Sequence, residues 1–109
     1  MKMIFGIVRP EKAYEVNGAL AEAGFFASTK WSVSGRGKQH GIQVGDVVYD
    51  EMSKVVIMVA CDDEDKNEII DIMMDHAQTG ETGNSGDGKI FVVPVEESYT
   101  ISSSSKDDK

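Results

Sequence analysis

The hydrophobic spacing of this chain changes period in a set order: strand, helix, strand, and then strand, helix, strand again. Residues 1–8 are apolar and β-branched, with Lys2 near the start, and read as a first strand. Pro10 suits the first turn of a helix, where its missing N–H costs nothing. Ala13, Val16, Leu20 and Ala23 then recur at helical spacing, with Glu11, Lys12, Glu15 and Glu22 largely off that face. Gly24 is a natural stop, because it adopts the left-handed conformation at a helix end. Residues 28–34 alternate around Trp31 and Val33 and give a second strand. Residues 36–53 are polar and aperiodic, and are expected to be a long loop. Residues 54–61 form a third strand, apolar on both faces. Asp62 or Asp63 is expected to cap a second helix, whose buried face is Ile69, Ile70, Met73 and Ala77. A glycine-rich loop at 78–88 leads to a fourth strand at 89–94. Residues 98–101 extend briefly, and 102–109 read as a disordered polar tail.

Two strand–helix–strand units predict an α+β fold of the ferredoxin-like kind. Its four-stranded antiparallel sheet carries both helices on one face. Two helices cover one face only, yet residues 55–60 and 90–93 are apolar at every position. An open apolar face is rarely tolerated by a soluble monomer, so an oligomer with inward-facing sheets is expected. A modest exposed patch is the alternative.

At 109 residues the chain has room for one domain and one core. Its longest apolar run, residues 55–61, is too short to span a bilayer, and membrane insertion is not expected. The N-terminal stretch lacks a small-residue cleavage site and is not read as a signal peptide. Cys61 is the lone cysteine, so there is no internal disulfide, and a reducing cytoplasm fits best. With 19 acidic against 11 basic residues the formal charge is −8, which argues against nucleic acid as a partner. The arginines are just Arg9 and Arg36, so any bound anion needs help from backbone N–H groups.

Eight of the 11 glycines fall in two clusters. Gly35, Gly37, Gly41 and Gly45 follow the second strand, with Arg36, Lys38 and His40 among them. Gly80, Gly83, Gly86 and Gly88 precede the fourth strand, which opens with Lys89. Such clusters either cradle a phosphate or carboxylate or are simply two flexible turns. The second matches a phosphate-loop spacing but lacks the Ser or Thr after its lysine and runs into a strand rather than a helix. The first enters a long loop, unlike a dinucleotide fingerprint. No catalytic constellation emerges. His76 sits beside Asp75 late in a helix, Cys61 ends an apolar strand, and residues 62–65 read as an acidic helix start.

The run Thr82-Gly-Asn-Ser-Gly-Asp-Gly-Lys-Ile-Phe-Val-Val-Pro-Val95 resembles the C-terminal signature of the PII signal-transduction proteins. Gly35-Arg-Gly-Lys-Gln-His-Gly41 looks like the start of their T-loop, and Arg9-Pro10 and Ala19-Leu-Ala-Glu-Ala-Gly24 are also similar. The likeness covers residues 1–101, with a T-loop at 36–53 and a B-loop at 80–88. It implies a non-enzymatic trimer that binds ATP or ADP in clefts between subunits. Carried over by position, it puts Thr29 near the adenine and Gly35, Gly37, Lys38 and Gln39 along the phosphates. Gly86, Asp87, Gly88 and Lys89 then face them. Gln39 and Lys54 match positions for 2-oxoglutarate, with Gln39 also on the magnesium (Mg2+) that the metabolite chelates. His40, Tyr49, Asp50 and Glu51 fall in the effector loop.

Three departures stand out. The T-loop is shorter than usual, and the tyrosine that some members nucleotidylate has no secure match, although Tyr49 lies nearby. The B-loop is longer, and the last strand carries Thr100 and Ser102 where phosphate-binding arginines are usual. Residues 41–54 with 96–101 look most like the nitrogenase-associated branch, whose paired paralogues inhibit a nitrogenase component until 2-oxoglutarate relieves them. The resemblance thus implies a homotrimer, or a hetero-oligomer with a paralogous PII subunit that supplies the missing cations. Control of an ammonium channel or a nitrogen-assimilation enzyme is the alternative.

Overall fold

The computed structural model describes residues 1–35, 42–44, 47–49 and 52–107. Strand β1 (Lys2–Val8) leads into helix α1 (Pro10–Glu22) and strand β2 (Thr29–Gly35). A hairpin of β3 (Ile42–Val44) and β4 (Val47–Tyr49) precedes β5 (Met52–Cys61). Helix α2 (Lys66–Ala77), strand β6 (Gly88–Pro94) and a small hairpin of β7 (Tyr99–Thr100) and β8 (Ser105–Lys106) complete the order. The main sheet runs β2-β5-β1-β6 and is antiparallel throughout. Both halves are split strand–helix–strand units, so the fold is the ferredoxin-like α+β arrangement the spacing predicts.

Local chemistry sets the helix boundaries. Arg9 precedes α1 in an extended conformation (φ −62°, ψ 141°), as a residue before proline must be. Its carbonyl accepts from Lys12 N–H at 3.0 Å. At the other end Gly24 takes φ 97°, and the chain folds back so that Phe25 N–H reaches the Leu20 carbonyl at 2.8 Å. The start of α2 differs from the expected aspartate cap. Residues Asp63–Asp65 form a 3-10 turn, and the Asp63 carboxylate pairs with the Met1 ammonium at 3.0 Å instead of closing the helix.

The core lies between the helices and one sheet face. Ile4, Val8, Ile57 and Val59 from the sheet meet Val16, Leu20, Ile69 and Met73 from the helices, all essentially buried. Gly6 sits under α2, where an added Cβ would come within 2.8 Å of the Met73 sulfur. On the opposite face the register brings together Phe5, Met58 and Phe91, Met3 with Val93, and Trp31 with Val56. Trp31 is 42% exposed, Phe91 47% and Val93 43%, so this apolar face stands open in the single chain.

Two stretches expected to lack structure have some. Within the loop expected at 36–53, Ile42, Gln43 and Val44 pair with Tyr49, Val48 and Val47, and β5 already begins at Met52. Ser53 and Met52 extend the main sheet opposite Ser34 and Gly35. The tail expected to be disordered from 102 folds back through residue 107. Its Asp107 carboxylate accepts from the Ser98 hydroxyl and the Thr100 hydroxyl, both at 2.7 Å, while Asp107 N–H reaches the Ser98 carbonyl. One serine hydroxyl, one threonine hydroxyl and one carboxylate thus satisfy a short turn that has no apolar period to announce it.

Candidate functional site

The second glycine cluster and two cations from distant segments converge at one end of the sheet. Gly80, Gly83, Gly86 and Gly88 all have positive φ, between 68° and 122°. At Gly88 the requirement is absolute: a Cβ there would lie 1.8 Å from the Ile7 carbonyl oxygen. The loop is thereby pressed against β1, and Lys89 continues from it into β6 opposite Ile7.

Inside the loop, the Asp87 carboxylate accepts four hydrogen bonds. Thr79 N–H (3.0 Å) and Asn84 N–H (2.9 Å) donate to one oxygen. The Thr79 hydroxyl (2.5 Å) and Arg9 Nε (3.0 Å) donate to the other. Arg9 Nη2 also donates to the Ser85 carbonyl at 2.9 Å, and the Asn84 amide closes onto the Thr79 hydroxyl at 2.9 Å. Burial would raise the Asp87 carboxyl, but the donors from Thr79, Asn84 and Arg9 outweigh it and hold the group well below the usual carboxylate range.

Lys54 projects from β5 to the same place, and its ammonium donates to the Gly86 carbonyl. Burial first, and then the charge of Arg9, push its pKa down. A cation that is partly desolvated and set beside another cation gains from an anion that joins them. A cavity of about 400 Å³ lies alongside, lined by Ile7, Val8, Met73, Ala77, Gly88 and Lys89 among others.

Of the residues named from the sequence, Lys54, Gly86, Asp87, Gly88 and Lys89 come together here. Gly35 pairs with Met52, close to Lys54 along the same two strands. Thr29 does not join them. It pairs with Met58, four residues beyond Lys54 on β5, or about 13 Å along the strand. Gly37, Lys38, Gln39, His40, Asp50 and Glu51 lie outside the described residues, and Tyr49 is described in its backbone alone. Arg9, Thr79 and Asn84 are site-building residues that the sequence did not single out as such. Arg9 and Asp87 are 78 positions apart, and no local spacing links them.

Asp87 is the site's carboxylate among the residues just described, and both its oxygens are occupied. Among the described residues, no group of three His, Cys, Asp or Glu side chains forms a metal cluster. His76 pairs instead with Glu15 of α1 at 2.9 Å, across the helix pair, and Cys61 is buried with its thiol pKa raised by burial. No described helix is long and apolar enough to cross a membrane.

Fold and site together define a small split βαβ domain whose glycine loop, braced by an arginine, adjoins a lysine. Comparison with known proteins gives that class its name: the profile described as nitrogen regulatory protein P-II matches residues 1–105, and the chain belongs to that family. It is 54% identical over 106 residues to the "Nitrogen fixation nifHD2 region GlnB-like protein 1" of Methanosarcina barkeri, covering 97% of this chain and 98% of that protein. It is 49% identical, with the same coverage, to the "Nitrogen fixation nifHD region GlnB-like protein 1" of Methanobacterium ivanovii. A protein of like name from Methanococcus maripaludis (strain S2) is 48% identical over 93% of both chains.

Proposed function

We propose that this chain is a cytoplasmic nitrogen-status sensor that binds adenine nucleotide and 2-oxoglutarate and regulates nitrogenase through the segment 36–53. The convergence of Lys54 and Arg9 on the glycine loop carries the reading. Two cations, one of them partly desolvated, meet a loop whose four glycines take positive φ. That is a place for phosphate and carboxylate groups, bound in part by backbone N–H donors. ATP or ADP takes the loop residues Gly86, Gly88 and Lys89. The dicarboxylate takes Lys54, and Gln39 offers an amide oxygen to Mg2+ held by nucleotide and metabolite. Thr29, which lies away from the loop within one chain, would meet a nucleotide bound at a neighbouring subunit's loop. The open sheet face supports such an assembly, either a homotrimer or a trimer with a paralogous subunit. The nif-region names of the relatives support nitrogenase over other targets.

Calorimetry tests the ligand chemistry: 2-oxoglutarate should bind in the presence of Mg-ATP and not without nucleotide. Equal binding in both cases would sink the mechanism. Affinity capture from nitrogen-fixing cells tests the target, with a nitrogenase component expected on the bait and released by 2-oxoglutarate. Retention of an ammonium channel or an assimilation enzyme instead would assign the protein to that role.

A further inference from the structure

Asp87 lies in the middle of the run that the proposed function assigns to phosphate, and a bare carboxylate there would repel its ligand. The geometry resolves this. Both carboxylate oxygens turn back into the loop, where they take two backbone N–H groups, one hydroxyl and one guanidinium N–H. The same guanidinium holds the Ser85 carbonyl, so Arg9 grips the loop at two points. Arg9 is itself fixed, since it immediately precedes Pro10 at the start of α1 and its carbonyl receives Lys12 N–H.

We infer that Arg9 and Asp87 are positioning residues for nucleotide recognition: their ion pair shapes the loop at 79–88 and neutralises it so that the phosphate chain can approach Gly86, Gly88 and Lys89. This rests on the nucleotide-binding reading above. Asp87 acts as the pin around which residues 79–87 close, and Arg9 anchors the pin to the β1–α1 junction. Charge-assisted hydrogen bonds of this kind are stronger than neutral ones and directionally demanding. Such supporting contacts set how accurately a binding loop is held. The depressed Asp87 carboxyl agrees, because it stays ionised and acceptor-only throughout the physiological range.

The test compares ATP with adenosine, which shares the base and ribose but has no phosphate. Calorimetry on the full chain would give the affinity of each ligand for the wild type, Arg9→Gln, Asp87→Asn and the double variant. Arg9→Gln leaves the carboxylate uncompensated beside the phosphates, so ATP should weaken by about tenfold to a hundredfold. Adenosine should hold its affinity in the same variant. The double variant removes the charge along with its partner and should bind ATP more tightly than Arg9→Gln alone. Equal losses for ATP and adenosine would reduce the pair to a general scaffold role and overturn the inference. So would a double variant no better than Arg9→Gln, or single variants that bind ATP normally. Wild-type protein that binds no ATP, either alone or together with the paralogous subunit, would instead overturn the nucleotide reading itself, and this inference with it.

Discussion

Gly88 has the least latitude of any residue at the site. Its φ of 122° and the Ile7 carbonyl 1.8 Å from where a Cβ would sit act together. Gly88→Ala should cost more than about 2 kcal/mol, since backbone strain alone is of that order; denaturant unfolding measures it. Lys54 is the residue to which the proposed function assigns the metabolite's carboxylate. Lys54→Ala should abolish the 2-oxoglutarate response while ADP still binds, as read by calorimetry; if both are unaffected, the metabolite sits elsewhere. Asp87 has a pH signature. Its folded-state carboxyl lies below the unfolded value, so its stabilisation is fully present above about pH 4 and fades as pH falls toward the depressed value. Thermal midpoints between pH 6 and 2 should therefore fall more steeply for the wild type than for Asp87→Asn, in which that titration is gone.

At the scale of elements, the helices were the most legible parts of the sequence. Pro10 and Gly24 mark α1 because each solves a terminus problem that depends on one residue's own geometry. Ala13, Val16 and Leu20 are buried as their spacing requires. Gly18 in the same helix is exposed and has open space where a Cβ would go. Gly18→Ala should thus stabilise the protein by about 0.5–1 kcal/mol, visible as a raised denaturation midpoint. The entry to α2 was less legible. Four consecutive acidic residues offer several possible caps, and the Met1 ammonium, just ahead of β1 and distant in sequence, decides the use of Asp63. The terminal hairpin was illegible for a different reason. Its hydroxyl–carboxylate bonds leave no periodic trace, so a serine-rich run looks the same whether it turns or wanders.

For the whole molecule, the strand order leaves one sheet face under two helices and the other bare. In the proposed trimer, burying Trp31, Phe91 and Val93 against other copies would remove that apolar area from water. Trp31→Glu with Phe91→Glu should therefore leave the far-ultraviolet circular dichroism intact while sedimentation velocity reports monomer. An unchanged assembly would mean that subunits meet on another surface. The amino-acid pattern alone specifies the order of the four main strands and two helices, the ferredoxin-like class, the open apolar face and the two glycine clusters. All of these follow from period and from single-residue backbone preference. It is the closing of the chain in three dimensions that brings Arg9 to Asp87, sets Lys54 on the Gly86 carbonyl, and turns the Asp87 carboxylate into its loop. The first two contacts join residues 78 and 32 positions apart. Spacing says which face a side chain occupies, but the meeting of distant charges depends on how strands are ordered in the sheet and where loops close.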